Sequence, residues 1–136
     1  MATSRPTSIV LALLLAAGTG LAMAGELKLT GDQEVPSNTS TAVGTGTISV
    51  AADGAVSGSV AAPGMAGMAA HIHVGAAGVN GPVIIPLTGG PGDTWTVPAG
   101  AKLTAEQLEA YKAGNLYVNI HTAEHKGGEL RTQLKP

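Results

Sequence analysis

The chain has 136 residues, which is enough for one domain and little more. It contains no cysteine, so a disulfide framework, a zinc knuckle, a thiolate nucleophile and an iron–sulfur site are all excluded. A formal net charge of -2 with only 12% charged residues excludes the strongly basic surface of a nucleic-acid-binding protein.

The first 24 residues are typical of a secretory signal peptide. Arg5 supplies the positive charge, and residues 9–17 form an apolar run that is short for a membrane span. Ala22-Met23-Ala24 fits a cleavage site, although an uncleaved anchor is the alternative. Cleavage leaves a single domain, residues 25–136, with six basic and nine acidic residues. We therefore expect an exported protein, periplasmic or secreted, without a membrane span after cleavage.

Short runs of alternating and β-branched residues predict about eight strands. These runs are residues 26–30, 44–52, 55–61, 69–75, 83–85, 94–97, 116–122 and 128–134. Asp53-Gly54 is a two-residue hairpin signal, and residues 64–67 and 89–92 are predicted as loops. Regular turns between short strands indicate a mostly β fold, an antiparallel Greek-key-like β-sandwich or barrel.

One short helix interrupts this pattern near the end of the chain. Residues 105–113 contain neither glycine nor proline, and Gly114 is placed to end a helix. Thr104 and Gln107 have the spacing of a capping box, in which each side chain binds the backbone N–H of the other residue. The sequence therefore predicts a helix that begins after Thr104.

The four histidines form two pairs, His71 with His73 and His121 with His125. Because side chains alternate along a strand and Ile72 belongs in the core, His71 and His73 should face away from it. His121 is expected on the equivalent face of its own strand. Residues two apart on a strand are about 6.6–7 Å apart, which is near enough for two imidazoles to converge on one ion. If the two histidine strands are neighbours, three or four imidazoles could meet on one face of the sheet.

Imidazole is a ligand for copper, zinc, iron and nickel, and the thioethers of Met65 and Met68 lie just before the first pair. Since thioether favours copper, we predict a copper site, with zinc as the alternative. The alternative for each residue is structural, with histidine as a surface hydrogen-bonding group and methionine as packing. Asn119 and Arg131 are interpreted as polar residues that brace the histidine strand.

Six segments of the chain occur in an order that is characteristic of one protein family. They are LTGDQEVP (29–36), AHIH (70–73), GVNGPV (78–83), LTAEQ (103–107), GNLYVNIHT (114–122) and GGELRTQL (127–134). With these segments the chain resembles the CHRD family, the domain first described in chordin, over nearly all of residues 26–135. The resemblance implies an antiparallel β-sandwich or barrel but no single activity. His71, His73 and His121 match the family pattern, whereas His125 stands where relatives commonly carry Asn or another polar residue.

Three functions are compatible with these features. The first is an exported metal-binding protein that holds copper in storage, delivery or tolerance, with His71, His73, His121 and His125 as ligands. The second is a metal-free extracellular module that binds a protein or polysaccharide partner. The third is a copper redox enzyme similar to superoxide dismutase, although the cysteine pair and zinc-ligand loop of those enzymes are missing. The lack of an evident general base favours binding over catalysis.

Overall fold

The structure, a computed structural model, describes residues 25–136. The predicted signal peptide lies outside the described residues. Within the described range the elements are β1 (Leu27–Leu29), β2 (Gly44–Val50), β3 (Val56–Ala61), β4 (Ala69–Val74), β5 (Val83–Pro86), β6 (Thr88–Gly90), β7 (Thr94–Thr96), α1 (Ala105–Lys112), β8 (Leu116–His121) and β9 (Leu130–Gln133). The predicted mostly β fold with one short helix is confirmed.

The strands form two antiparallel sheets that are arranged as a sandwich and do not close into a barrel. One sheet has the order β1-β2-β3-β7-β6, and the other has the order β5-β4-β8-β9. A backbone bridge between Thr30 and Arg131 joins the end of β1 to β9, so the two sheets are also hydrogen-bonded to each other. Buried aliphatic side chains from both sheets make one core, including Leu29, Ile48, Val60, Ile72, Val118 and Ile120.

The hairpin predicted at Asp53-Gly54 joins β2 and β3, but its loop has three residues and not two. The Ala51 N–H donates to the Ala55 carbonyl at 2.9 Å, which leaves residues 52–54 as the loop. Gly54 has φ +91, a left-handed conformation that glycine adopts without steric cost. The Asp53 carboxylate accepts the Ala55 N–H and completes the turn.

The prediction of a loop at residues 89–92 is wrong in part, because β6 covers Thr88–Gly90. Gly89 pairs with Trp95 of β7, and a Cβ added to Gly89 would lie 3.0 Å from the Trp95 ring. Glycine therefore permits the indole to lie against the neighbouring strand. A run of glycines gives no strand signal in the sequence, so only the pairing partner shows that this segment is extended.

The predicted capping box at the start of α1 is present. The Gln107 N–H donates to Thr104 Oγ1 at 3.2 Å, and the Thr104 N–H donates to Gln107 Oε1 at 2.9 Å. Gly114 has φ +79 and its N–H donates to the Tyr111 carbonyl, which ends the helix as predicted. Across residues 25–136 no helix combines the length and the apolar character needed to cross a membrane.

Candidate metal centre

The outer face of the four-stranded sheet, the face turned away from the sandwich core, brings three histidines together. Strands β4 and β8 are direct neighbours, with His71 opposite Asn119 and Ala69 opposite His121. Because residues that pair across an antiparallel ladder share a face, the β4 histidines and His121 all lie on the side opposite Ile72. The predicted direction of His71, His73 and His121 is thus confirmed.

The three imidazoles are close enough to share one ion. His71 Nδ1 and His121 Nε2 are 3.2 Å apart. One ring nitrogen from each of His71, His73 and His121 lies within 4.8 Å of the other two. His73 is buried, whereas the other two rings are half-buried, so the cluster is reached from the side of His71 and His121. We call these three residues the histidine triad.

Backbone carbonyls fix the proton position on two rings of the triad. His73 Nδ1 donates to the Gly81 carbonyl at 2.8 Å, and His121 Nδ1 donates to the Lys126 carbonyl at 2.7 Å. A carbonyl oxygen only accepts, so Nδ1 carries the hydrogen in each ring. In the neutral imidazoles the Nε2 lone pairs are therefore free to bind a cation. A hydrogen bond of this kind on the second nitrogen commonly orients a histidine ligand.

Both of these Nε2 atoms face the side-chain oxygen of Asn119, at 2.9 Å for His73 and 3.0 Å for His121. The amide oxygen is also an acceptor, so the contacts of Asn119 with the two Nε2 atoms contain no hydrogen in the neutral site, and only His121 Nε2 has a donor nearby, the Nδ1 of His71. A buried acceptor without a donor is costly. A cation placed among these atoms would satisfy all three of them.

The surroundings of His71 and His73 favour their neutral forms. Burial lowers the pKa of His71, and the positive charge that His121 and His73 can carry lowers it further. Burial also lowers the pKa of His73, against the opposing hydrogen bonds to Gly81 and Asn119, while His121 and Arg131 lower it electrostatically. Neutral imidazole is the form that ligates a metal, so the site is prepared for one.

His73 is supported by stacking with Tyr117, which in turn contacts Arg131. The His73 ring is parallel to the Tyr117 ring within 6°, with centroids 4.6 Å apart, and the Arg131 guanidinium lies 3.4 Å from the Tyr117 centroid. Arg131 also donates to the carbonyls of Ala76 and Val79, at 2.9 and 3.0 Å. Arg131 therefore holds the 75–82 segment over the sheet, and the bracing role predicted for it is present in the structure.

The structure places His125 in a different group from the triad. It lies in the turn before β9, where a ring nitrogen and carboxylate oxygens of Glu124 and Glu129 come within 4.8 Å of one another. The carboxylate of Glu129 already accepts hydrogen bonds from Ser40 at 2.7 Å and Thr122 at 2.9 Å, so it ties the turn to the preceding loop. Of the four predicted ligands, the structure brings together His71, His73 and His121.

The two methionines take structural or exposed positions. Met65 packs against the hydrophobic core, and Met68 is 65% exposed. The Met68 N–H donates to the carbonyl of His121, so this residue contributes its backbone to the sheet beside the triad.

Glu34 is the residue of this region that the sequence interpretation missed. Only 4% of it is exposed, and its Oε1 atom has no hydrogen-bond partner among the described residues. Burial raises the pKa of Glu34, although the charge of Arg131 and the amide of Asn119 both lower it. A glutamate between polar neighbours and Pro36 gives no local signal of burial, because the burial depends on β8 and β9, about 90 residues later in the chain.

Comparison with known proteins gives one family match. The family model described as CHRD domain matches residues 26–134. No curated protein and no solved structure matches the chain.

Proposed function

The chain belongs to the CHRD domain family, and from that premise we propose that it is an exported protein that binds one copper ion in the histidine triad. Family membership supports the fold, and the proposed activity depends on the site. The observation that carries the proposal is the convergence of imidazole nitrogens from His71, His73 and His121 beside the Asn119 side-chain oxygen, which faces two Nε2 atoms that carry no hydrogen in the neutral rings.

Copper is proposed ahead of zinc because of the ligand chemistry. Divalent copper has the highest affinity of the first-row divalent metals for a given nitrogen and oxygen site. Zinc binds the same ligand types and is the alternative ion. The half-buried rings of His71 and His121 leave the ion accessible from solvent, which suits a protein that takes up and releases metal in storage, delivery or tolerance.

Metal titration of the purified protein tests this function. After removal of bound metal, the protein is titrated with Cu(II), Cu(I) and Zn(II) in the presence of a competing chelator. We expect the first equivalent of copper to bind more tightly than zinc, because the triad brings three imidazole nitrogens together. A folded protein that binds none of these ions would contradict the proposal and favour the metal-free binding module.

The pH dependence of binding follows from the lowered pKa values of His71 and His73. Two imidazoles with the ordinary pKa of about 6.5 would be half protonated at pH 6.5, which costs about fourfold in affinity. With their pKa values below that, these rings are more than half neutral at pH 6.5, so protons cost less than fourfold there and compete more strongly only at lower pH. NMR titration of the ring C–H signals in the metal-free protein measures each midpoint. Midpoints at or above pH 6.5 for His71 and His73 would contradict this expectation.

A further inference from the structure

We propose that the side-chain oxygen of Asn119 is the fourth metal donor, which makes a site of three nitrogens and one oxygen that prefers Cu(II) to Cu(I). This inference rests on the proposed function and specifies its donor set and oxidation state. It assigns to Asn119 a direct contact with the ion in addition to its support of the histidine strand.

The distances between the donor atoms support a coordination edge. Asn119 Oδ1 lies 2.9 Å from His73 Nε2 and 3.0 Å from His121 Nε2, and His121 Nε2 lies 3.2 Å from His71 Nδ1. With metal–ligand bonds of about 2.0–2.1 Å, donors at right angles are about 2.8–3.0 Å apart and tetrahedral donors about 3.3–3.4 Å apart. The two distances from Asn119 Oδ1 fit donors at right angles in a tetragonal site. The distance between His71 and His121 lies between the value for right-angled donors and the value for tetrahedral donors.

Glu34 and Gly128 support this orientation of the amide. A Cβ added to Gly128 would come within 2.5 Å of Glu34 Oε1 and 2.7 Å of Asn119 Nδ2, so both atoms border the space above the glycine. The Asn119 Nδ2 atom is therefore on the side of Glu34, whereas its oxygen is on the side of the two Nε2 atoms. Rotating the amide by 180° would turn its oxygen toward Glu34, where two acceptors would meet when Glu34 is ionised. Asn119 Oδ1 is therefore directed at the histidines.

The donor set determines which oxidation state is favoured. Tetragonal nitrogen and oxygen sites are characteristic of Cu(II), whereas soft thioether and thiolate ligands select Cu(I). The sulfur-bearing residues nearest in sequence are Met65, which packs on the core, and Met68, which is exposed. An amide oxygen is a hard donor, so it adds more to the binding of Cu(II) than to that of Cu(I).

The test compares the affinities of the full chain for the two copper ions. We expect Asn119→Ala to lower the Cu(II) affinity about 100-fold and the Cu(I) affinity less than about threefold, because only the hard donor is lost. Glu34→Gln should lower the Cu(II) affinity about tenfold, as is usual when an outer-shell partner is weakened. Asn80→Ala is the matched control, since Asn80 binds the Val35 carbonyl and Arg131 and should leave the ratio of the two affinities unchanged.

Electron paramagnetic resonance of the Cu(II) form gives a readout that a merely structural role would not change. Asn119→Ala should alter the tetragonal signal while the count of coupled nitrogens stays at three. Asn119→Asp keeps the shape of the side chain and its donor oxygen, and it should raise the ratio of Cu(II) to Cu(I) affinity. This variant keeps the proposal testable if the alanine variant does not fold. Equal losses of both ions with an unchanged signal would overturn the role of Asn119 alone, whereas a natural protein that binds no copper would overturn the proposed function as well.

Discussion

Replacing His73 and His121 together by alanine is expected to abolish copper binding by this protein. These rings supply two Nε2 atoms that carry no hydrogen in the neutral form, because the Nδ1 atoms donate to the carbonyls of Gly81 and Lys126. Loss of an outer-shell partner typically costs about 10–100-fold in metal affinity, so loss of two direct ligands should cost well beyond that range. The measurement is competition with a chelator of known affinity, together with metal content after dialysis.

His125→Asn is the matched control for this experiment. His125 is grouped with Glu124 and Glu129 and not with the triad, so its removal should change copper affinity less than either single triad substitution. The β fold should survive the double substitution, because neither histidine belongs to the aliphatic core. Circular dichroism checks this point. A folded double variant that holds copper as tightly as the parent would show that the triad is not the site.

Replacing Arg131 by methionine is expected to cause a large loss of stability. Arg131 is 1% exposed, donates to Ala76, Val79 and Gln133, and lies on the Tyr117 ring. Methionine keeps much of the volume but leaves these acceptors without their donor. Hydrogen bonds to a charged group contribute about 1.5–3 kcal/mol each, so losing these together with the packing on Tyr117 should lower the free energy of unfolding by about 3 kcal/mol. Urea unfolding of the metal-free protein measures the difference.

Lys112→Met is the control for the loss of a positive charge. Lys112 is exposed and, among residues 25–136, pairs only with Glu109 on the surface of α1, at 3.2 Å, so its loss should change the free energy of unfolding by less than about 0.5 kcal/mol. If Arg131→Met were as mild as this control, the guanidinium would not be the hydrogen-bonding centre that the structure indicates. The Arg131 variant should also weaken copper binding, since the 75–82 segment carries the Gly81 carbonyl that orients His73.

Strand alternation by itself determined the face on which the triad lies. Ile72 fixes the core side of β4, and a period of two then places His71 and His73 opposite it. The capping box of Thr104 and Gln107 likewise determined where the helix begins, since every interacting atom lies within three residues. These features depend on residues that are close together in the chain, so they can be predicted from the sequence.

The tertiary structure alone decided that the outer face of β8 is buried and how the site is supported. Tyr117 and Asn119 share the face of His121, and the 75–82 segment and the region of Glu34 cover them. The separation of His125 from the triad was decided in the same way, by the course of the turn before β9. Contacts such as that of Glu34 with Asn119 join residues 85 positions apart in the sequence. Local periodicity carries no information on them, because they depend on the path of the loops between the strands.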